Sequence, residues 1–379
     1  MEIRIFDWEN GEFITRFITY KASNQKYKVH AFEPSGFSFD FPLGEYGAWE
    51  FKRGRFVLIE DFIGVIEDIR RNTDANNDMM SISGKDIKGL LAQRIIIPIT
   101  FSGIQGTAGY DIATGWTDAC IKHFWRNNIS VNAELNRRFP FIIIGADKNI
   151  GTSDDKYMAR FEKLSDVTAE LANNANVVIT SKLVGATPQI EAGTILLDVV
   201  LPTMRTYNSD QPLILSLDRQ TALQLEHIQE AGGYRNAFYA TQSGAQFADE
   251  TLTMLYVRDG ETESANLDRR EEHINVSVNT PVAGQEYNEM RRQAVHDMLN
   301  YEETNTLSAH ANFTHLKYKR DYDVGDFVTV QNKDWGIETD IQITAVEISD
   351  DASGRTETMT LGTGEKSYIK QILTEVKNI

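Results

Sequence analysis

The sequence predicts a β-rich α+β protein in which two strand-rich regions flank a segment of alternating helices and strands. Three observations support this fold class. Short runs of alternating apolar and polar residues fill the first 95 residues, the periodicity becomes helical after Arg94, and alternation with a period of two returns towards the C-terminus. We therefore expect two small β-barrel domains, an inserted α/β domain and a domain that carries one long helix.

Residues 1–95 are predicted to form the first β-barrel, which strands at about 188–225 would complete. Asn10 and Gly11 separate two alternating runs, and this pair is a strong hairpin signal because both residues tolerate positive φ. Roughly six or seven short strands with little helix between them are typical of a barrel or a sandwich.

Residues 96–187 are predicted to form the inserted α/β domain. Here Ile112, Trp116 and Phe124 share one face of a helical pattern, and residues 141–144 read as a continuous apolar strand. A second helix is predicted around Val167, Leu171 and Ala172, which recur at helical spacing. Residues 226–379 are predicted to form the second β-barrel, which includes an amphipathic helix at 285–302.

The composition narrows the classes of function. The 379 residues carry a net charge of −17, which argues against a free-standing DNA-binding role because phosphate binding needs a basic surface. The single cysteine, Cys120, excludes an intrachain disulfide and a multi-cysteine zinc site. We expect no transmembrane helix, because no run of 18 apolar residues occurs, and the N-terminus lacks the pattern of a signal peptide.

No short motif points to a reaction. The glycines and lysine at residues 362–367 lack the spacing of a phosphate-binding loop, and neither a zinc-peptidase nor a nucleophile-elbow pattern occurs. The acidic pairs, such as Asp350 with Asp351, lack the spacing of a calcium-binding loop. We therefore predict no catalytic residues, no cofactor and no metal site, and expect that the chain is not an enzyme.

Two distant stretches carry a family resemblance. The first is a hairpin from Gly64 to Gly84 that continues through Lys85 and Asp86 into Ile87, Leu90, Leu91 and Arg94. The second runs from Tyr322 to Val330 and is followed by another strand pattern and then residues 361–364. Together they resemble the siphophage tail-hub family, the tail-associated (Tal-like) proteins that sit beneath the distal tail protein. That family is related to the baseplate hub of contractile phages and to the hub of type VI secretion spikes.

The resemblance implies a role and a set of partners. Proteins of this family form homotrimers, in which two barrels per chain give a ring of six that matches the hexameric distal tail protein. We expect a structural hub in the distal tail tip or baseplate of the virion, made in the host cytoplasm, that closes or gates the tail channel for DNA delivery. The tape-measure and receptor-binding proteins are further expected partners, DNA would pass without specific binding, and no membrane insertion is expected. Acidic residues could line the channel, with solubility as the plainer explanation of the net charge.

Five residues are candidates for subunit interfaces. The aromatic ones are Tyr46, Trp49, Phe51 and Trp335, with core packing as the alternative for each. Arg94 could cap helix-end carbonyls within the chain or pair across a subunit boundary. Two other functions remain open: a tail module that binds host-surface carbohydrate through exposed Trp and Tyr, and a tail-associated cell-wall hydrolase. Many proteins of the family that the chain resembles carry a long C-terminal extension with a peptidoglycan-cleaving or receptor-binding module. Because this sequence stops at Ile379, soon after the last predicted strand, we expect a short structural hub and not a lysin.

Overall fold

The computed structural model describes residues 1–73, 78–98, 110–153, 155–185, 193–230, 232–242, 252–257, 269–276, 301, 304–311 and 315–362. The chain divides into two compact units. The first combines Met1–Leu225 with Ser308–Gly362, and the second contains the intervening stretch Glu226–Leu307. The predicted helix at 285–302 lies outside the described residues, apart from Tyr301, and the predicted domain boundaries stay a prediction.

The N-terminal part of the first unit consists of strands and one short α-helix. They are β1 (Ile3–Glu9), β2 (Glu12–Thr19), β3 (Ser23–His30), β4 (Gly36–Pro42), β5 (Phe56–Ile59), β6 (Phe62–Thr73) and β7 (Asp78–Asp86), followed by the short helix α1 (Ile87–Leu91). The predicted hairpin at Asn10 and Gly11 is confirmed, since β1 pairs antiparallel with β2 and both turn residues have positive φ, 53° and 87°.

Helices and strands alternate in the middle of the chain. The elements are β8 (Asp111–Gly115), α2 (Thr117–Ile129), β9 (Ile142–Ile144), β10 (Asp155–Ala159), α3 (Leu164–Asn174), β11 (Val178–Val184) and β12 (Thr194–Val200). The predicted second helix is confirmed as α3. The placement of Ile112 on the first helix is wrong, because Ile112 lies in β8 and pairs with Met158 of β10. Gly115, at φ 111°, ends this strand, so that α2 begins only after Trp116.

Strands return in the last part of the chain. They are β13 (Met204–Arg205), β14 (Ile214–Leu215), β15 (Ala222–Glu230), β16 (Ala237–Gln242), β17 (Leu252–Val257), β18 (Glu271–Val276), β19 (Thr304–Ala311), β20 (Phe327–Asn332), β21 (Ile337–Asp351) and β22 (Gly354–Gly362). Strands β16, β17 and β18 form a three-stranded sheet of their own in the second unit, and β16 is its central strand.

One 14-stranded sheet unites both ends of the chain. Its main path is β15-β19-β22-β21-β3-β4-β7-β6-β5-β1-β2, and β13 and β14 pair with β20, which in turn pairs with β21. The junction is antiparallel pairing of β3 with β21, from Ala345 opposite His30 to Asp350 opposite Gln25. The β-rich fold class is confirmed. The two barrels are not confirmed, because the described strands form no closed barrel.

Aromatic side chains fill the core between the N-terminal strands. Phe37 and Phe39 stack at a centroid distance of 6.0 Å, and Phe13 packs edge-on against Phe56 at 5.0 Å. Each of these phenylalanines is almost fully buried, and burial of such a side chain stabilises the fold by about 1.5–3 kcal/mol. This core fixes the positions of the loops that leave the sheet.

Candidate interaction surface

The loop between β4 and β5 presents two of the predicted interface residues. It contains a single turn of 3₁₀ helix, η1 (Ala48–Glu50), which begins after Gly47. Gly47 adopts φ 88° and ψ −1°, a left-handed conformation that glycine reaches without steric cost. The Glu50 N–H donates to the Gly47 carbonyl at 2.9 Å, which closes the turn. The backbone of this loop is therefore set by its own local hydrogen bonds.

Phe51 anchors the loop in the core. Its side chain is only 1% exposed, and its ring centroid lies 4.8 Å from that of Phe41, 5.6 Å from Phe39 and 6.0 Å from Phe17. Phe17 also lies against Gly47, where a Cβ atom would come within 2.2 Å of the Phe17 ring. Phe51 thus connects the loop to the core, and its side chain is buried.

A charged cluster holds the other side of the loop. Arg55 donates from Nη1 to the Glu50 carbonyl at 2.8 Å and also contacts the Glu50 carboxylate. Its Nε and Nη2 reach Asp7 at 3.0 and 2.9 Å, and Arg16 donates to the same carboxylate at 2.9 Å. The hydrogen bond from Arg55 lowers the pKa of Glu50, and the Trp49 side chain adds a weaker hydrogen bond in the same direction.

This support leaves a pair of aromatic rings in solvent. Tyr46 is 76% exposed and Trp49 is 55% exposed, and the two rings meet edge to face with centroids 4.9 Å apart at an interplanar angle of 88°. The exposed cations Lys52 and Arg53 follow directly in the chain. Large aromatic side chains on an ordered backbone are the residues that most often anchor protein–protein contacts, because little conformational entropy is lost when they are covered.

The other two candidates lie elsewhere in the first unit. Trp335 is 46% exposed in the turn between β20 and β21. Arg94 follows α1, donates from Nε to the Arg137 carbonyl at 3.1 Å and places its guanidinium 4.4 Å from the centroid of the Phe139 ring. Desolvation lowers the pKa of Arg94, and repulsion by Arg137 adds to this effect. Arg94 therefore makes contacts within the chain, and an interface role for any of the five residues stays a prediction.

The motif behind the family resemblance builds a corner between a strand and a helix. Asp86 ends β7 and caps α1, since its Oδ1 accepts from the Gly89 N–H at 3.1 Å and from the Ser35 N–H at 3.0 Å. Gly84 is obligatory on packing grounds, because a Cβ atom there would lie 1.9 Å from the Val65 carbonyl oxygen. Lys88 is buried beside Asp86, with 3.6 Å between Nζ and Oδ2, and desolvation lowers its pKa.

Sequence reasoning missed a buried ionic network beside α2. Lys122 is fully buried, and its ammonium lies 3.2 Å from Asp118 and 3.0 Å from Asp198. Burial alone would raise the pKa of Asp118, but hydrogen bonds from the backbone N–H groups of Lys148 and Ile150, together with Lys122, lower it. The network fastens the loop after β9 to the helix. Its only signal in the sequence is the four-residue spacing of Asp118 and Lys122.

The described residues offer neither a metal site nor a membrane-spanning helix. Among the residues that the structure describes, no group of three or more His, Cys, Asp or Glu side chains could hold a metal ion. In the same part of the chain, no helix combines the length and the apolar character that crossing a membrane requires.

Comparison with known proteins identifies the family. A family model described as siphovirus ReqiPepy6 Gp37-like protein matches residues 2–363. The chain belongs to this family. A search of curated protein sequences found no match. The siphovirus tail-protein resemblance inferred from the two sequence stretches is thereby confirmed.

Solved structures show the same fold at low sequence identity. The chain is similar to the 43 kDa tail protein of prophage MuSo2 from Shewanella oneidensis, with a TM-score of 0.51, 13% identity and coverage of 96% of this chain and 98% of that chain. It is also similar to a tail protein from Neisseria meningitidis MC58, with a TM-score of 0.51, 14% identity and coverage of 97% and 98%. A chain of the lidded Francisella PdpA–VgrG complex gives a TM-score of 0.50 and 10% identity, over 97% of this chain and 52% of that chain.

Proposed function

We propose that this siphovirus tail protein is a structural, non-enzymatic hub of the tail tip, which assembles as a homotrimer below the distal tail protein. Membership of the siphovirus family and a fold shared with phage tail proteins and with a chain of a PdpA–VgrG complex support this role. The observation that carries the proposal within the chain is the exposed pair Tyr46 and Trp49. The pair is held on a buried Phe51 and on Arg55, as an anchor for a neighbouring subunit would be.

The proposed position in the tail defines the remaining partners. The hub sits at the distal tip of the virion, contacts the distal tail protein above it, and meets the tape-measure and receptor-binding proteins. It closes the channel until DNA is delivered. The net charge of −17 disfavours tight binding of passing DNA, because phosphate and carboxylate groups repel each other. Trp335 and Arg94 are secondary candidates for subunit contacts.

The mass in solution tests the proposal. Light scattering over a range of concentrations, with and without the distal tail protein, should show a species of three times the 42.9 kDa chain. Replacing Tyr46 and Trp49 together by alanine should weaken the trimer while the circular dichroism spectrum stays unchanged. Alanine at Leu135, an 81% exposed residue after α2, is the control and should leave assembly intact. A chain that stays monomeric in both conditions would contradict the proposal.

One further function has an observation in its favour. An exposed tyrosine beside an exposed tryptophan also suits the apolar face of a sugar ring. Binding of purified host wall polysaccharide by the monomeric chain, and its loss in the Tyr46 and Trp49 double variant, would favour a carbohydrate-binding tail module. Unchanged assembly of that variant would then separate the two functions.

A further inference from the structure

The large sheet of the first unit has two open ends. Strand β2 is the last strand at one end of the main path, and β15 is the last strand at the other. Among the described residues, β2 makes its backbone ladder with β1 alone, and no strand lies beyond β15. An open edge presents unpaired N–H and C=O groups, which form a template for pairing with another chain.

Part of β2 is protected against such pairing, and part is not. The register of β1 and β2 shifts between Ile5 and Phe6, where Arg16 is the extra residue of a β-bulge. Arg16 pairs with Asp7 and Glu9, so the edge is charged and distorted there. Residues 17–19 beyond the bulge carry neither a charge nor a proline, and Ile18 is 44% exposed.

The opposite end of the sheet, at β15, also has an uncharged stretch with an exposed apolar residue. Residues 222–225 of β15 belong to the same compact unit as β2 and also contain neither a charged residue nor a proline. Leu223 is 59% exposed on this stretch, whereas Ala222 and Leu225 are buried. Natural proteins blunt free edges with charges, prolines or bulges, and both stretches lack charges and prolines.

We infer that these two ends pair with each other between copies of this chain, so that residues 17–19 of one copy lie along residues 222–225 of the next. This inference rests on the proposed homotrimer. Because the two surfaces differ, the contact is head-to-tail, and a head-to-tail contact closes only in a ring. A ring of three copies leaves neither end of the main path of the large sheet open, which removes the hazard of aggregation through these two edges.

Crosslinking between introduced cysteines tests the pairing. The chain has a single natural cysteine, Cys120, which is buried, so new surface cysteines can be modified selectively. A variant with both Ile18→Cys and Leu223→Cys, treated with a short bismaleimide, should give covalent dimers and trimers. Each single variant should give none, because in a head-to-tail ring Ile18 faces Leu223 and never a second Ile18.

The outcomes separate this inference from the proposed function. A light-scattering trimer whose double variant does not crosslink would overturn the edge pairing and leave the trimeric hub intact. Crosslinking of the Ile18→Cys variant alone would also overturn it, since it would show a symmetric contact of β2 with β2. A chain that is monomeric with and without the distal tail protein would overturn both.

A charge placed at either edge gives a second measurement. Ile18→Lys or Leu223→Lys should weaken the trimer at least about tenfold, because a lysine would be desolvated without a partner. Val131→Lys is the control, because Val131 is 66% exposed but lies just after α2, outside the sheet. Equal weakening by all three variants would contradict the edge pairing.

Discussion

Gly47 sets the backbone of the loop that carries Tyr46 and Trp49. Replacing Gly47 by alanine should destabilise the fold in two ways, through its backbone conformation and through a clash with Phe17. The residue adopts φ 88°, which costs an alanine about 1–2 kcal/mol. In addition, the new Cβ would lie 2.2 Å from the Phe17 ring, which must therefore move. Overpacking of this kind costs about 1–3 kcal/mol more. We expect Gly47→Ala to lower the free energy of unfolding by about 2–5 kcal/mol.

Gly54 provides the control for the backbone cost. Its φ is 83°, close to that of Gly47, but nothing lies within 4 Å of an added Cβ. Gly54→Ala should therefore cost only about 1–2 kcal/mol. The difference between the two variants measures the contact with Phe17, and it should shrink when Phe17 is first replaced by leucine.

Urea unfolding followed by tryptophan fluorescence gives these free energies. Iodide quenching reports the exposed tryptophans of the folded state, and its difference from a Trp49→Phe variant gives the contribution of Trp49. We expect Gly47→Ala to change the quenching of Trp49. The displaced Phe17 ring lies 6.2 Å from the Tyr46 ring, and Tyr46 in turn packs against Trp49. If Gly47→Ala and Gly54→Ala destabilised the chain equally, within about 0.5 kcal/mol, the account of the loop would be refuted.

Three further predictions follow from the packing and charges of the first unit. Lys122→Met should cost about 3–5 kcal/mol in urea unfolding, since it leaves the buried carboxylate of Asp118 without a charged partner and removes one of the two lysines that pair with Asp198, whereas Lys148→Met, at a side chain 42% exposed, should cost less than about 1 kcal/mol. Gly84→Ala should lower the free energy of unfolding by more than about 4 kcal/mol and so abolish soluble folded protein. Gly36→Ala, whose Cβ would meet its nearest atom at 3.7 Å, should fold. Equal yields of soluble protein from the two variants would contradict this account of the packing at Gly84. Burial, aided by nearby lysines, lowers the pKa of His30 from 6.5 to about 4. Between these two pH values His30 therefore binds a proton more readily in the unfolded chain than in the folded chain. The free energy of unfolding should therefore fall as pH drops from about 6.5 to about 4, and His30→Gln should flatten that slope; an unchanged slope would show that other groups cause it.

Local patterns in the sequence determined much of the first unit. The hairpin at Asn10 and Gly11 was predictable because turn chemistry and period-two alternation act between near neighbours. The helix α3 was predictable from its apolar spacing for the same reason. The misplacement of Ile112 shows the limit of this approach: its strand depends on Met158, and a short apolar pattern alone does not distinguish strand from helix.

The candidate surface was only half predictable. Trp49 and Phe51 are two residues apart and both aromatic, and sequence reasoning treated them alike. The structure buries Phe51 among three phenylalanines and leaves Trp49 exposed, because the turn after Gly47 and the contacts of Arg55 direct the two side chains differently. Selecting the exposed residue required the positions of Phe17 on β2 and of Phe39 and Phe41 on β4.

The sequence by itself determined that the chain is β-rich, that helices interrupt its middle, and that it resembles siphophage tail proteins, because these conclusions rest on local periodicity and short motifs. Only the tertiary structure decided that β3 pairs with β21, more than 300 positions later, and that the sheet ends at β2 and β15. Strand pairing at such separation depends on which edges remain available after the whole sheet has formed. No local pattern carries that information.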